Sequence, residues 1–363
     1  MIPYGRQNLD DDDIAAVVDV LRGDWLTQGP TLERFERAVA EYVGAEHAVA
    51  FSSGTAALHG AAWAAGLGPG NVVHTTPLTF IATVNAARYV GATPELVDID
   101  KETWNIDLSL IPKYSDAVIP VHYAGLPVDL TPERWSYKPK VIIEDAAHAL
   151  GAHTPDGPVG NCAHSDMVCL SFHPVKPITT GEGGMVTTNN SELAERLRRF
   201  RSHGIVRKPE HGEWYYEIED IGYHYRMTDI QAALGLSQMR KLDTFIARRN
   251  ELAEQYRTLL AKLPLELPPS APKGFLHGYH LFPVLVRERA LVFAELRARG
   301  IGVQVHYVPV NFHPSTKSLR HVAPGLTVTN TVYNEILSLP IHPSLDRSDE
   351  AKVVRNLIEV IAK

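Results

Sequence analysis

Residues 48–58 read AVAFSSGTAAL: Ala48 to Phe51 are apolar, Ser52-Ser53-Gly54-Thr55 is turn chemistry, and an Ala-rich stretch follows. The run predicts a strand and the alanines predict a helix, joined by a tight turn. The same alternation continues downstream, with short apolar runs at Val72–Thr75, Glu95–Val97, Ala117–Val121, Val141–Ile143, Met167–Ser171 and Met185–Thr188. Strands spaced by helical stretches predict an α/β fold with a largely parallel sheet. Ligands of such sheets collect at the carboxyl ends of the strands, so the residues just after each run are the ones to read for function.

Upstream of the first run, Ile14, Val17, Val18 and Leu21 recur at helical spacing behind the aspartates Asp10 to Asp13, which suit a helix N-terminus. A second periodic set, Leu32, Phe35, Val39, Tyr42 and Val43, follows the Gly29-Pro30 break and ends near Gly44. Two helices therefore precede the sheet. Beyond Asp243 a long helix carrying Arg248 and Arg249, a proline-rich connection from Pro264 to Pro272 and a helix from Ala290 predict a change of architecture. The expected division is 1–242 for the N-terminal helices and large domain, and 243–363 for a smaller C-terminal domain.

Composition narrows the function. The 363 residues carry 35 basic and 42 acidic side chains, a net charge of −7, which argues against a nucleic-acid binder. Hydrophobic residues at 45% and charged residues at 21% are those of an ordinary globular chain, which excludes disordered and fibrous classes. Ala48 to Ala87 contains no Asp, Glu, Lys or Arg, but Ser, His, Thr and Pro interrupt it, so no bilayer span is expected. It reads instead as buried structure beside a ligand. The N-terminus has no signal pattern, and Cys162 and Cys169 fit neither a zinc ribbon nor a redox pair, so a cytoplasmic location is expected. The scattered His153, His164 and His173 make no metal motif, and the Asn189-Asn190-Ser191 sequon reads as chance.

Three segments carry chemistry. In VIIEDAAH, Val141 to His148, three apolar residues lead into Glu144 and Asp145, which puts a carboxylate where the sheet ends; a helix-capping acid is the alternative. In SFHPVKPITTGEGG, Ser171 to Gly184, Lys176 stands between Pro174 and Pro177 in a bend that restrains its stem. In SSGTAAL, Ser52 to Leu58, a strand-to-helix turn offers backbone N–H groups and a helix dipole to an anion, with Gly54 allowing close approach. Phosphate cradle, strand-end carboxylate and restrained amine are the three requirements of pyridoxal 5'-phosphate.

Here the sequence resembles the DegT/DnrJ/EryC1/StrS sugar aminotransferases, of aminotransferase fold type I, over nearly its whole length. IPYGRQ, DWLTQGP (Asp24 to Pro30), TPLTFIATVNA (Thr76 to Ala86), EWYYE (Glu213 to Glu217), DIQAALGLSQ (Asp229 to Gln238) and VQVHYVPV (Val303 to Val310) are similar to the branch serving pseudaminic acid biosynthesis. The resemblance implies that Lys176 joins the cofactor covalently, that Asp145 faces its pyridine nitrogen and that His148 lies near its ring hydroxyl. Gly54, Thr55 and Ser171 would hold the phosphate. Phe80 would pack on the ring, with plain core packing as the alternative. Where the family carries Asn in a segment donated across a dimer interface, GYHYRM places His224, either a phosphate contact or an interface packing residue.

The implied reaction uses L-glutamate as amino donor and a 4-keto-6-deoxy nucleotide sugar as acceptor, in a homodimer with a shared active site. Tyr4, the turn with Trp25, Leu26 and Thr27, and His306-Tyr307 are the sugar-binding candidates, though such aromatics also serve packing. Amination at C3, a dTDP-linked sugar, sugar dehydration and a non-catalytic sensor are the rivals; dehydratases of the family carry His where this chain has Lys176. The basic run Arg196, Arg198, Arg199, Arg201, Arg207 and Lys208 reads as a diphosphate attractor or, with more weight, as a solvated helix face.

Overall fold

The computed structural model describes residues 1–361. Asp10 caps the first helix, α1 (Asp11–Arg22), by accepting from the amides of Asp12 and Asp13, and Asp13 closes a capping box. Pro30 starts α2 (Pro30–Val43), and Gly44 ends it in the left-handed conformation at φ 78°. The sheet elements then follow: β1 (His47–Phe51), α3 (Gly54–Ala64), β2 (Val72–Thr75), α4 (Ala82–Tyr89), β3 (Thr93–Leu96), β4 (Ala117–Ile119) and β5 (Val141–Asp145). A short hairpin, β6 (His153–Thr154) and β7 (Gly157–Pro158), separates them from β8 (Met167–Ser171), β9 (Gly184–Thr188) and α5 (Ser191–Arg201). A second hairpin, β10 (Ile205–Arg207) and β11 (Tyr216–Ile218), precedes α6 (Asp229–Met239) and α7 (Leu242–Leu260). The chain closes with β12 (Leu265–Glu266), β13 (Phe282–Val286), α8 (Arg289–Ala298), β14 (Arg320–His321), α9 (Thr327–Glu335), β15 (Ile336–Leu339) and α10 (Arg347–Ile361).

The main sheet has eight strands in the order β1-β9-β8-β5-β4-β2-β3-β14. From β8 to β14 every pairing is parallel, and only β9 runs against its neighbours. The α/β architecture expected from the alternating runs is therefore the one adopted. A three-stranded antiparallel sheet, β12-β13-β15, lies in the C-terminal part. That part also reaches back: β14 pairs with β3, and the Asp98 carboxylate accepts from the amides of Val328 and Thr329 at the start of α9.

One face of the large sheet packs on α2 and α6 through Phe35, Phe172, Met227 and Leu242. The rings of Phe35 and Phe172 are 5.2 Å apart, and truncating either to alanine is expected to cost about 3–5 kcal/mol. The other face packs on α3, α4 and α5. The charge-free run explains α3, which buries residues on all sides, among them Ala57, Leu58, His59 and Ala61. In α1, by contrast, only Asp13 is buried, while Ile14 and Leu21 are 59% and 54% exposed. Among the described residues no helix is long and apolar enough to cross a membrane.

Candidate active site

The carboxyl ends of β5 and β8 lie side by side, and each delivers one functional group. Asp145 closes β5; its amide donates to the Pro120 carbonyl at 2.8 Å. Its carboxylate accepts from the Thr83 hydroxyl at 2.7 Å and from the Ala147 amide at 3.2 Å. With the proton of Thr83 engaged on Asp145, the Thr79 hydroxyl, 2.7 Å from that of Thr83, donates in turn. Burial pushes the Asp145 carboxyl above the usual carboxylate range, against the pull of these donors and of Lys176.

After β8 the chain makes a tight bend in which the Lys176 amide donates to the His173 carbonyl at 2.9 Å. The bend is fixed from behind: Thr180 N and Thr179 Oγ1 both donate to the Phe172 carbonyl. Lys176 is half-buried, and the desolvation of its amine lowers it to about 8, although the charge of Asp145 opposes the shift. Lys176 and Asp145 line one cavity of about 410 Å³, yet among the described residues they make no ion pair within 4.0 Å. Opposite charges facing a common space without touching leave room for a group between them.

The third wall is the start of α3. Ser53 caps it by accepting from the Ala56 amide, which leaves the amides of Gly54 and Thr55 as helix N–H groups without an intrahelical acceptor. Gly54 stands against Ser171: a Cβ there would lie 2.9 Å from the Ser171 Cβ and 3.1 Å from its Oγ. Any larger residue would push the two sides of this anion cradle apart. Ser53, Gly54, Thr55 and Ser171 all line the cavity.

The far wall comes from the C-terminal part. Tyr307 OH and His148 Nε2 are 3.0 Å apart, and Tyr123 OH donates to the His306 carbonyl, which fixes this segment. His306 Nδ1 meets Ser338 Oγ at 2.9 Å, and its ring lies 4.9 Å from that of Tyr4. Burial, with the charge of Lys176 adding to it, holds His148 well below the ordinary histidine value and His306 down to about 3, so both are neutral imidazoles near neutral pH. Phe80, 58% exposed, stands at the mouth with its ring 6.1 Å from Tyr307.

Of the residues singled out from the sequence, Tyr4, Gly54, Thr55, Phe80, Asp145, His148, Ser171, Lys176, His306 and Tyr307 therefore meet in one cavity. Trp25, Leu26, Thr27 and His224 do not. Asp229 accepts from the amides of Gly29, Thr31 and Leu32 and donates its own amide to the Leu26 carbonyl, which anchors the turn to the start of α6 and leaves Trp25 to Thr27 on the surface. His224 is likewise exposed, stacked on His203 at 5.3 Å.

Sequence reasoning passed over Thr79 and Thr83, although both stand in the quoted TPLTFIATVNA, and it passed over His280, which no local pattern marks. Glu144 turns away from the cavity to accept from Ser165 and pair with His122 at 2.7 Å. The basic run is largely neutralised by Glu195, Glu219, Asp220 and Glu36, which fits the helix-face reading. Cys162 and Cys169 are buried free thiols.

Comparison with known proteins agrees with this geometry. The structure of PseC from Helicobacter pylori, an aminotransferase involved in pseudoaminic acid biosynthesis, superposes with a TM-score of 0.90 and 32% identity over 99% of both chains. Spr1654 of Streptococcus pneumoniae, solved in its PMP form, superposes with a TM-score of 0.92 and 27% identity over 100% of this chain and 99% of that one. The same protein has been solved in a PLP form. The spore coat polysaccharide biosynthesis protein SpsC of Bacillus subtilis is 35% identical over 99% of this chain and 97% of its own. The fold is that of the pyridoxal-phosphate-dependent aminotransferases. A sequence profile covers residues 7–358, and the chain belongs to the DegT/DnrJ/EryC1/StrS aminotransferase family.

Proposed function

We propose that this protein transfers the amino group of L-glutamate to C4 of a 4-keto-6-deoxy nucleotide sugar, a UDP-linked 2-acetamido-2,6-dideoxy-4-hexulose, using pyridoxal 5'-phosphate in the cytoplasm. The observation that carries the reading is the cavity in which Lys176 and Asp145 face each other without pairing, closed on a third side by the cradle of Gly54, Thr55 and Ser171. These residues fit the cofactor: the cradle suits a phosphate, Asp145 a protonated ring nitrogen, and the buried amine a covalent bond to the aldehyde. When bound, pyridoxal phosphate supplies an electron sink for the carbanion left at the amino-bearing carbon.

The protein's own groups do the rest. Asp145, held by Thr83 and the Ala147 amide, keeps the proton on the ring nitrogen, since a carboxylate stabilises an adjacent cation. Lys176, lowered to about 8, keeps a minor neutral fraction near neutral pH, and its Nζ would take the proton from the amino-bearing carbon of the donor in the first half of the reaction and give a proton to the newly amino-bearing sugar carbon in the second. His148 and Tyr307 present neutral hydrogen-bonding groups to the same cavity as Asp145. The exposed apolar strip of α1 and Trp25 supports a homodimer in which the partner copy brings the surface turn and His224 to the site.

Incubation of the enzyme with L-glutamate and a panel of 4-keto and 3-keto UDP- and dTDP-sugars tests the reading. Amination of the 4-keto UDP-sugar is expected. Exclusive turnover of a 3-keto or dTDP-sugar, or dehydration in place of amination, would replace it.

A further inference from the structure

Buried polar side chains almost always find a partner. His280 lines the cavity at 4% exposure, and among the described residues its side chain makes no hydrogen bond, its Nδ1 being wholly buried and unpartnered. Its ring centroid is 4.4 Å from that of His148. The backbone imposes this placement. Gly278 N donates to the Gly125 carbonyl at 2.8 Å and Leu281 N to the Ala124 carbonyl at 3.2 Å. Gly125, at φ 100°, has no room for a side chain, since a Cβ would lie 3.0 Å from Tyr279 N.

Behind His280 is a second unusual group. Arg249, on α7, is 1% exposed and among the described residues has no carboxylate partner; it donates to the carbonyls of Tyr279 at 3.1 Å and Ile341 at 3.0 Å, and its Nε is unpartnered there. Tyr279 precedes His280 in the chain. Ile341 in turn donates its amide to the Tyr4 carbonyl at 3.0 Å, and Tyr4 lines the same cavity. A guanidinium buried without an acid is costly, and an apolar side chain of similar volume would fill the space at less cost. What the arginine does, which an apolar residue could not, is hold two cavity-forming segments by their carbonyls.

We propose that His280 is a substrate-binding residue, its Nε2 hydrogen-bonded to a hydroxyl or carbonyl oxygen of the sugar, and that Arg249 is the positioning residue that holds it there. The proposal rests on the aminotransferase reading and deepens it. Burial, then the charges of Lys176 and Arg249, keep the His280 imidazole well below its ordinary value. A neutral imidazole suits an uncharged sugar oxygen, whereas the carboxylates of an amino acid call for a cation.

The test separates sugar from amino donor. In His280→Leu the KM for the 4-keto UDP-sugar and the calorimetric Kd of its 4-amino product rise roughly tenfold, the loss of one hydrogen bond. The spectral change driven by L-glutamate alone slows by less than about threefold, because the donor does not need that bond. His280→Gln, which keeps a polar group near Nε2, recovers most of the sugar affinity. Arg249→Met reproduces the sugar defect, Arg249→Lys relieves it in part, and the His280→Leu/Arg249→Met double variant is no worse than His280→Leu.

A native product Kd in His280→Leu overturns the sugar contact, as does equal slowing of the glutamate and sugar steps. Full additivity in the double variant overturns the role of Arg249. If Arg249→Met does not fold, the same cycle with Arg249→Lys decides that point. Failure of the wild-type enzyme to aminate any keto-sugar would sink the function itself, and the calorimetric arm would still read His280 on its own.

Discussion

The helices α1 and α3 are 12 and 11 residues long and treat their apolar side chains in opposite ways. α3 is buried along almost its whole length between the sheet and its neighbours, and its N-terminus forms the anion cradle. α1 lies against α6, where Asp13 accepts from Gln238; it keeps Ala16, Val17 and Val20 half-buried and turns Ile14 and Leu21 outward. The difference teaches that apolar spacing identifies a face without identifying what covers it. Around α3 the site closes within a single chain. Around α1, together with the surface turn at Trp25, the apolar side chains of Ile14, Leu21, Trp25 and Leu26 stay open to solvent.

The largest expected effect lies on the closed side. Lys176→Ala should lower turnover by about 10³-fold or more, and borohydride treatment should no longer leave cofactor attached to the protein. Near-native turnover without added amine would show that the closed side is not the reacting side. Next, Gly54→Val should weaken cofactor binding at least tenfold in a fluorescence titration, because its Cβ would sit 2.9 Å from that of Ser171; overpacking of this kind costs about 1–3 kcal/mol. Unchanged affinity would remove the phosphate from that wall.

The open side gives a different signature. Ile14→Asp with Leu21→Asp should leave the secondary structure intact but dissociate the proposed dimer in sedimentation, with specific activity falling on dilution. Activity that stays constant on dilution in a proven monomer would erase the contrast between the two helices.

Two smaller effects concern the closed wall without cofactor. Lys176 in the folded state binds its proton less tightly than in the unfolded chain, so between about pH 8 and the ordinary lysine value the unfolded state carries more protons and stability rises with pH. Lys176→Met should flatten that rise in apo-enzyme denaturation. Asp145 behaves in the opposite sense: its raised carboxyl loses stability as pH climbs above the usual carboxylate value. Asp145→Asn should accordingly stabilise the apo-enzyme by about 1 kcal/mol near neutral pH while slowing catalysis. A destabilised Asn variant would mean that the Thr83 bond outweighs the burial of charge.

Most of the parallel sheet was legible because its strands are uninterrupted apolar runs buried on both faces. The run at Ala117 ends early, at Ile119, where Pro120 supplies no donor to the ladder, and the run at Val141 continues through its own carboxylate to Asp145. β14 escaped notice: two residues, Arg320 and His321, have no period, and their pairing with β3 depends on partners more than 200 positions away. Lys176, Asp145 and Gly54 could be read because each stands directly behind a strand. His280 could not, since what places it is a pair of backbone bonds to Ala124 and Gly125 and an arginine in another helix.

The attachment of β14 to the sheet edge decides how the cavity can exchange its contents. From His306 to Thr329 the chain is fastened to the large sheet by the hydroxyl of Tyr123, by Val310 N on the Pro77 carbonyl, by β14 and by Asp98. Tyr307, although it belongs to the C-terminal third of the sequence, is therefore anchored to the same body as Lys176. Amino donor and sugar are expected to come and go through the mouth beside Phe80 and not through a parting of the two halves, so solvent viscosity should bear on this enzyme as ordinary diffusion and not as the damping of a swinging domain.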